Sequence, residues 1–384
     1  MNIVFVGLQG VPYFGRACDP RLANTANLLA EDCDVAVVNR YSSLKHKTMS
    51  GIELAKNVKT VEILKRRNTG SLMSVMLLVL SVLCEPFSLW KLHREKKIDY
   101  LHIYSGHYFD FVLYKIFAMM IGAKIVYEYV EFRTEKTSHP NLYHRINNRL
   151  CDFHGAKLWD SCIAISNFLE QKAKEVRKDI PVIKVTPLCD FELFAANNDE
   201  VDVKEPYLMF CGSAGYFDVV KFIIDSYNLS AIKNTKKLLL VLSGSDAQLD
   251  RVRKYEPNAI IRTKLPYNML VAYYKHAYGL MIPLRNTTED IARFPNKVCE
   301  YTAAKGLIIT TCYGEMPYYF KNGENAIVAE DCTVEAIAKR LEEIEAGKCD
   351  VEQIRKNCYQ TGLDNFSIGA YKNKLYKFLL DNRK

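Results

Sequence analysis

The second half of the sequence contains Arg293-Phe294-Pro295-Asn296-Lys297-Val298-Cys299-Glu300-Tyr301-Thr302-Ala303-Ala304-Lys305-Gly306, directly followed by the apolar run Leu307-Ile308-Ile309-Thr310. Pro295 predicts the start of a helix, because proline is well tolerated in a first helical turn. The apolar run predicts a buried strand. The segment therefore predicts one helix and one strand of a helix-covered parallel sheet.

The start of this helix carries residues suited to a diphosphate and a sugar. The N–H groups around Asn296 and Val298, together with the Lys297 ammonium, could hold a diphosphate. Glu300 follows one turn later and could accept hydrogen bonds from a ribose diol. The open alternative is an ordinary surface helix in which Lys297 and Glu300 form an i,i+3 ion pair.

The same alternation of short apolar runs and amphipathic stretches extends over the whole chain. Strands are predicted in the first half at 3–6, 35–38, 100–103, 124–129, 162–165 and 182–185, and in the second half at 207–210, 238–242, 259–262, 280–283 and 307–310. This order is typical of parallel sheets covered by helices. The sequence thus predicts an α/β fold of two Rossmann-like, doubly wound domains.

The domain boundaries follow from the places where this periodicity stops. A polar, acidic stretch at 195–205 predicts a linker. We predict an N-terminal domain over 1–195, a second domain over 205–365, and a C-terminal helix over 366–384 that packs back on the first domain. Open parallel sheets bind ligands beyond the carboxyl ends of their strands, so the chemistry is expected in a cleft between the two domains.

A glycine-bearing loop follows the predicted first strand of each domain. Gly10 lies in the loop 7–16, and Gly212 and Ser213 open the loop 212–215, with Lys221 a few residues later. Glycine allows backbone N–H groups to approach an anion closely. Neither loop has the GxGxxG pattern, so a strand-to-helix turn without a ligand is the alternative.

Composition and charge exclude several classes of protein. At 49% hydrophobic and 25% charged residues the chain is neither collagen-like nor disordered. The excess of basic over acidic residues, 52 − 44 = +8, favours anionic partners.

Twelve cysteines without a CxxC pair are typical of buried thiols in a reducing cytoplasm. The eight histidines do not have the spacing of zinc ligands, so no metal is predicted. No nucleic-acid motif, signal peptide or membrane-spanning helix is predicted.

Several segments together resemble glycosyltransferase family 4, whose enzymes have the GT-B fold. They are, in order, Asp160-Ser161-Cys162-Ile163-Ala164-Ile165-Ser166, Pro187-Leu188-Cys189-Asp190-Phe191-Glu192-Leu193-Phe194, Ser243-Gly244-Ser245, Ile282-Pro283-Leu284 and 295–306. The last is similar to the family's donor-binding pattern P-x-K-x-x-E-Y-x-A-x-G, except that Lys305 takes the place of the glycine. The resemblance covers nearly the whole chain. It implies a retaining, hexosyltransferase-type enzyme that uses a nucleotide sugar as substrate and needs no cofactor.

The resemblance also implies roles for residues of the second domain. Glu300 corresponds to the second glutamate of the family's E-x7-E signature, which holds the nucleotide ribose. Lys297 and the neighbouring backbone at Asn296 and Val298 would face the diphosphate. The first glutamate of the signature falls on Ala292, which leaves the recognition of the donor sugar open.

Further donor residues are implied on neighbouring loops. The backbone at Arg262 and Thr263 would lie along the nucleobase, with Tyr267 as its cover. The family's arginine and lysine for the diphosphate are imperfectly matched, because Ser213 takes the arginine position and Lys221 comes slightly late.

In the first domain the resemblance points to the acceptor side. His107 falls where the family often places a residue near the transferred sugar, and Glu131 lies in a segment similar to D-x-H-E, in which Val130 replaces the histidine. Arg16, at the end of the first glycine loop, is assigned to the same side. A structural histidine surrounded by tyrosines is the alternative for His107.

The sequence thus predicts transfer of a sugar from a nucleotide-diphosphate sugar to a hydroxyl of a glycan or lipid-linked acceptor in cell-surface polysaccharide or glycolipid synthesis. Basic residues at 65–67 and 91–97 flank the apolar run 72–84, a pattern that suits peripheral contact with an anionic inner membrane from the cytoplasm. A buried helix pair with charged ends would give the same pattern. The competing functions are a degenerate nucleotide-sugar-binding protein and a nucleotide-sugar 2-epimerase.

For the missing glutamate at Ala292 the sequence offers two candidate substitutes in the same loop, Glu289 and Asp290.

Overall fold

The computed structural model describes residues 1–8, 10–12, 18–43, 53–66, 71–134 and 141–383. They form two compact units, one of 1–188 with 368–384 and one of 189–367. The predicted linker at 195–205 lies inside the second unit, where Phe191–Ala196 is a helix and the Lys275 ammonium donates to the Phe194 carbonyl at 3.0 Å.

The first unit is a doubly wound α/β domain. Its strands are β1 (Asn2–Leu8), β2 (Asp34–Ser43), β3 (Lys59–Arg66), β4 (Tyr100–Ile103), β5 (Lys124–Tyr129), β6 (Ser161–Ala164) and β7 (Val182–Lys184). Its helices are α1 (Asp19–Ala30), α2 (Ser71–Glu95), α3 (Tyr108–Ile121), α4 (Leu142–His154), α5 (Asn167–Val176) and, at the end of the chain, α15 (Lys372–Asp381). All pairings are parallel, in the order β3-β2-β1-β4-β5-β6-β7.

Burial of apolar side chains on both faces holds this sheet in place. Phe5 and Val37 on the strands, Leu22 on α1, and Leu375 and Leu379 on α15 belong to one core cluster. The terminal helix therefore packs on the sheet of the first unit, as the sequence predicted.

Helix α2 connects β3 to β4 and is unusual in its composition. Its part Met76–Glu95 is long and apolar enough to span a membrane, with a mean hydropathy of 1.3 and only 17% of it buried, although the sequence predicted no such helix. On its inner side Ser81 and Glu85 are fully buried, and Glu85 accepts from the Arg40 guanidinium of β2 at 2.8 Å. Helix α2 therefore packs on the sheet through a buried ion pair.

The second unit repeats the architecture. Its strands are β8 (Tyr207–Ser213), β9 (Lys237–Ser243), β10 (Ile260–Arg262), β11 (Gly279–Ile282), β12 (Ile308–Thr311) and β13 (Ile327–Ala329), in the parallel order β10-β9-β8-β11-β12-β13. Its helices are α6 (Phe191–Ala196), α7 (Phe217–Leu229), α8 (Asp246–Tyr255), α9 (Tyr267–His276), α10 (Thr288–Ala292), α11 (Lys297–Ala303), α12 (Met316–Tyr319), α13 (Val334–Glu345) and α14 (Val351–Phe366). Its core includes Leu208, Leu240 and Ile309 of the strands, all fully buried.

The predicted strands overlap observed strands throughout, and two observed strands, β3 and β13, were not predicted. In each sheet the carboxyl ends of parallel strands meet at one edge, and this edge carries the loops that hold the candidate residues.

Candidate active site

The loops after β8 and β9 begin side by side at the carboxyl edge of the second sheet. Ser213 pairs with Ser243 across the two strands, and the Ala214 amide donates to the Ser243 carbonyl at 2.8 Å. A Cβ atom on Gly212 would come within 2.6 Å of the Phe210 ring. The glycine that the sequence marked as a phosphate contact is thus already required by packing inside the unit.

The predicted phosphate contacts Ser213 and Lys221 both have partners within their own elements. The Ser213 hydroxyl accepts from the Gly215 amide at 3.2 Å. The Lys221 ammonium, one turn into α7, pairs with Asp225 and lies over the Tyr255 ring. Lys221 is therefore held along the helix in the structure.

Helix α11 begins at Lys297, with Asn296 as its N-cap, as the position of Pro295 predicted. The Val298 side chain is fully buried, and its amide donates to the Pro295 carbonyl at 3.1 Å. The expectation that the Val298 N–H faces a phosphate has to be corrected, because this donor is used within the turn. The charge of Lys297 instead becomes the main cationic feature of this turn.

Glu300 and Tyr267 meet at the start of α9. The Tyr267 hydroxyl donates to Glu300 Oε1 at 3.2 Å. Burial raises the pKa of Glu300, and the Lys297 charge and the hydrogen bond from Tyr267 oppose the shift. The sequence predicted that Glu300 contacts the ribose and that Tyr267 covers the nucleobase. In the structure a hydrogen bond connects the two side chains.

Lys297 lies close to the end of β8 as well as to Glu300. Burial raises the pKa of the Cys211 thiol on β8, and the charge of Lys297 is the first effect that opposes it. Lys297 and Glu300 thus stand at the carboxyl edge of the sheet, next to the strand that leads into the glycine loop.

The predicted nucleobase contacts follow β10. The Arg262 guanidinium pairs with Asp202 at 2.7 Å, and Asp202 also accepts from the Tyr273 hydroxyl. Thr263 is partly buried beside Lys264, whose φ of 54° turns the chain toward α9. The side chain of Arg262 is therefore occupied, and the predicted contact through the backbone at Arg262 and Thr263 is unaffected by this pairing.

The loop around α10 contains an ion-pair cluster. Asp290 is almost fully buried and accepts from the Arg285 amide at 2.9 Å, from Arg285 Nε at 2.7 Å and from the Arg293 guanidinium. Burial works to raise the pKa of Asp290, but the hydrogen bond from Arg285 and the charge of Arg293 outweigh it and lower the pKa. Asp290 and Glu289 are the two candidates to replace the glutamate missing at Ala292. The carboxylate of Asp290 is already paired with Arg285 and Arg293.

Glu289 is the more exposed of these two candidates. Its carboxylate lies 3.4 Å from Arg293 and 3.9 Å from Arg285, which are longer contacts than those of Asp290. Arg293 also reaches toward the loop after β8, with its guanidinium 5.9 Å from the centre of the Tyr216 ring. The sequence did not single out Arg293, although its place next to Ala292 could have suggested it.

In the first unit His107 lies at the carboxyl edge, between β4 and α3. It is the N-cap of α3, and its Nδ1 lies 3.4 Å from the Tyr143 hydroxyl. Desolvation lowers the pKa of His107, and the charges of Arg133 and Arg40 act in the same direction while Asp110 opposes them. His107 is an exposed residue, and its contact with Tyr143 fits the alternative of a structural histidine among tyrosines as well as a role near the transferred sugar.

The segment after β5 brings Glu131 and Arg133 to the same edge. Glu131 lies 3.7 Å from the Arg133 guanidinium, and the Arg133 amide donates to Asp152 at 2.8 Å. A Cβ atom on Gly106 would come within 2.6 Å of Arg133 Nη1, so this glycine makes room for the guanidinium beside His107. Sequence analysis missed Arg133, since nothing in its own neighbourhood predicts that it folds back against the loop after β4.

The first glycine loop is described only in part. Gly10 has a φ of 70°, a left-handed conformation that favours glycine, and the next residue, Val11, exchanges two hydrogen bonds with the Asn39 side chain of β2. Arg16 lies outside the described residues, as do Arg67 and the rest of 67–70. Among the residues that the structure describes, no cluster of three or more His, Cys, Asp and Glu side chains could hold a metal ion.

Comparison with known proteins identifies the unit that carries Lys297 and Glu300. Residues 205–346 match the family model described as "Glycosyl transferases group 1". The matched residues all lie in the second unit. No curated protein sequence matches the chain.

Solved structures of glycosyltransferases share the fold over the full length of the chain. Sucrose-phosphate synthase from Thermosynechococcus elongatus has a TM-score of 0.74 at 15% identity, with 99% of each chain covered. Anabaena HepE in complex with UDP and glucose has a TM-score of 0.69 at 13% identity, covering 99% of this chain and 100% of that one. WaaG, a glycosyltransferase involved in lipopolysaccharide biosynthesis, has a TM-score of 0.65 at 12% identity, with 99% of each covered.

These similarities confirm the predicted GT-B fold, and for residues 205–346 the family model supports the predicted glycosyltransferase. Within the matched residues 205–346, the structure brings together Glu300, Tyr267 and Lys297. It gives Lys221 and Ser213 other partners. The roles of the individual residues stay predictions.

Proposed function

We propose that this glycosyltransferase moves a hexose from a nucleotide-diphosphate sugar to a hydroxyl of a glycan or lipid-linked acceptor, with retention at the anomeric carbon. The observation that carries the proposal is the contact between Glu300 and Tyr267 next to Lys297, inside the segment that matches group 1 glycosyltransferases. The structure of HepE in complex with UDP-glucose, at 12% identity, supports a nucleotide sugar as the donor.

In this proposal the donor is held by two charges of opposite sign. A carboxylate has about four lone-pair sites, so the Tyr267 bond to Glu300 leaves acceptors for both ribose hydroxyls. Lys297 lies against the diphosphate, together with the backbone at Asn296. The loop at Gly212 and Ser213 follows β8 on the same edge, and Arg262 and Thr263 border the nucleobase.

Leaving-group stabilisation is the main source of catalysis. As the bond from the anomeric carbon to the diphosphate breaks, negative charge develops on the phosphate oxygens, and a fixed cation at Lys297 stabilises it. Arg293, near Tyr216 at the loop after β8, is paired with Asp290 and Glu289, so Lys297 is the cation assigned to the diphosphate. The acceptor hydroxyl attacks from the face that the diphosphate leaves and gives its proton to the departing phosphate oxygen. The reaction therefore needs no protein nucleophile and differs from the carboxylate pair of glycosidases.

The acceptor side is assigned to the carboxyl edge of the first unit. His107 is exposed there, and its lowered pKa keeps the ring neutral near pH 7, so that it can form a hydrogen bond with a sugar hydroxyl. Glu131 and Arg133 lie beside it, and Gly10 and Arg16 belong to the first loop of the same unit. An acceptor in the cell envelope is supported by the fold likeness to WaaG.

Location and cofactor use belong to the same proposal. The enzyme works in the cytoplasm, peripherally at the inner membrane face, and the nucleotide sugar is its substrate, with no resident cofactor or metal. The transferred sugar becomes part of a cell-surface polysaccharide or glycolipid.

Slow hydrolysis of the donor tests this reaction without knowledge of the acceptor. The full chain is incubated with UDP-glucose, GDP-mannose and ADP-glucose, and the released sugar is followed by proton NMR from the first minutes. We expect one donor to release its α anomer first. First release of the β anomer would refute retention, donor binding without release would favour a degenerate binding protein, and C2 epimers without release would favour a 2-epimerase.

A further inference from the structure

Helix α2 exposes an apolar stripe along its outer side. Residues at spacings of three and four lie on one side of a helix, and here they are large, apolar and exposed: Met76, Leu80, Leu83, Phe87 and Trp90. Phe87 is 79% exposed. Helices packed on a water-soluble domain normally turn polar residues outward, so this stripe is unusual for a surface in water.

The two helices that follow in the unit extend this stripe. The exposed apolar side chains are Phe109, Ile116, Met119 and Met120 on α3, and Leu142 and Ile146 on α4. Met119 is 73% and Leu142 70% exposed. Together with the α2 stripe they form the α2–α4 face.

Buried polar contacts hold the three helices side by side under this face. The Arg40 guanidinium of β2 pairs with Glu85 of α2 and with Asp110 of α3, each at 2.8 Å. The Asn147 side chain of α4 accepts from the Tyr108 amide at the start of α3 at 2.9 Å. Right-handed crossovers also place helices that follow β3, β4 and β5 on one side of the sheet.

The charges on these helices are sorted by sign. Lys91 and Arg94 on α2 and Arg145 and Arg149 on α4 are exposed, next to the apolar stripes. The carboxylates of the same helices point inward, at Glu85, Asp110 and Asp152, except for Glu95, which pairs with Lys59. An apolar face bordered by basic side chains is complementary to a bilayer with anionic headgroups.

We propose that the α2–α4 face docks on an anionic lipid bilayer, with α2, α3 and α4 lying in the plane of the membrane interface. The apolar stripes enter the boundary between headgroups and acyl chains, and the arginines and lysines contact the phosphates. Trp90, next to Lys91, suits the level between these two regions.

The bilayer is met from one side and is not crossed. If α2 left the sheet to span the membrane, the Glu85 carboxylate and Ser81 hydroxyl would enter hydrocarbon and the buried Arg40 would lose a partner. The docking specifies the membrane contact of the proposed function and relies on that function only for the location of the acceptor. The docking itself needs neither a donor nor turnover.

Vesicle flotation with the full chain tests the docking, using phosphatidylcholine vesicles with and without phosphatidylglycerol. We expect binding to the anionic vesicles and a loss of at least about tenfold in the double variant Leu83→Glu with Phe87→Glu, because two apolar side chains no longer enter the interface. The control Leu229→Glu replaces a similarly exposed leucine of the second unit and should bind like the wild type.

The basic border is tested separately. Arg145→Glu with Arg149→Glu should weaken binding to anionic vesicles at least about tenfold and leave binding to phosphatidylcholine unchanged, while Lys254→Glu in the second unit changes neither. Far-UV circular dichroism and thermal unfolding of the same preparations show whether the variants are folded, and nucleotide binding measured by calorimetry reports on the proposed function independently. The docking would be overturned if the wild-type chain did not bind anionic vesicles. It would also be overturned if the double variant Leu83→Glu with Phe87→Glu bound them as well as the wild type does. A dimer that L83E with F87E dissociates, without lipid binding, would assign the face to a second copy.

Discussion

The surroundings of Glu300 disfavour the ionisation of its carboxyl group. The donor, however, needs the carboxylate oxygens as hydrogen-bond acceptors. Burial raises its pKa from the ordinary value of 4.5, while Lys297 and the hydroxyl of Tyr267 limit that rise. Donor binding at neutral pH requires the charged form of Glu300, because only a carboxylate accepts hydrogen bonds from the ribose diol at every site. The affinity for the donor therefore depends on the protonation of this residue.

The pH dependence of donor binding tests the role of Glu300. With UDP-glucose as the probe, whose diphosphate does not titrate near neutral pH, we expect affinity to fall as the pH falls through the raised pKa of Glu300. In Glu300→Gln binding should be weak and free of this titration. Glu342→Gln, at an exposed position on α13, serves as the control and should follow the wild type. A titration that persists in E300Q would contradict the assignment.

Asp290 is predicted to stabilise the loop around α10. Asp290→Asn should lower the free energy of unfolding by about 2 kcal/mol, because a buried carboxylate that holds Arg285 and Arg293 loses its charge. The pKa of Asp290 is lowered in the fold, so this contribution is present above the ordinary carboxyl pKa and is lost as the pH falls through the lowered value.

Urea unfolding at neutral pH and at acid pH measures this contribution. Asp250→Asn removes a carboxylate from an exposed pair with Arg253 and should leave stability nearly unchanged. Equal effects of the two substitutions would show that the Asp290 cluster is not a stabilising unit.

At the level of elements, a buried ion pair anchors α2 to its sheet. Glu85→Ala should cost about 3 kcal/mol of unfolding free energy, because Arg40 is left buried with one fewer carboxylate. Glu95→Ala on the same helix removes an exposed pair with Lys59 and should have little effect. Thermal unfolding of both variants compares them directly, and a stable E85A protein would mean that α2 is held by apolar contacts alone.

Packing of α14 against α11 positions the turn that carries Lys297 and Glu300. A Cβ atom at Gly362 of α14 would collide with Thr302 of α11 and come within 2.9 Å of the Phe191 ring. Gly362→Ala should therefore destabilise the chain by about 1–3 kcal/mol and weaken nucleotide binding, since α11 has to shift. Gly369→Ala, where a Cβ atom meets nothing within 4 Å, is the control for both measurements. Unchanged nucleotide binding in G362A would show that the packing of α14 on α11 does not position Lys297 and Glu300.

The apolar pattern allowed most elements to be predicted, and the exceptions have physical causes. The strands at 100–103 and 124–129 were predicted with their observed bounds, because they are buried on both faces and read as apolar runs. β3, Lys59–Arg66, is an edge strand rich in charged residues, and β13 is an edge strand of three residues. The sequence did not predict these two strands, because each is stabilised by hydrogen bonds to a neighbouring strand, and the sequence does not reveal which strands are neighbours.

The candidate site was predictable where one short segment holds the residues. Lys297 and Glu300 lie one turn apart, so their helix revealed them together. Arg133, Arg293 and the Tyr267–Glu300 bond depend on contacts between elements distant along the chain, and local spacing contains no information on these. The Lys221–Asp225 pair was open to prediction, because residues four apart on a helix are neighbours.

At the scale of the whole molecule, the net charge of +8 accompanies two distinct surfaces for anions. In the second unit Lys297 stands at the carboxyl edge of the sheet, and in the first unit exposed arginines and lysines border the apolar α2–α4 face. The two proposals are independent, since nucleotide binding and vesicle binding rely on different units. Each can fail without the other.

Calorimetry with UDP, GDP and ADP on the full chain tests whether the second unit binds a nucleoside diphosphate through Lys297 and Glu300. We predict that one nucleotide binds selectively, that Lys297→Ala and Glu300→Ala each weaken it at least about tenfold, and that Lys254→Ala and Glu342→Ala bind like the wild type. If no nucleotide binds, or if all four variants bind like the wild type, the site proposed here is wrong.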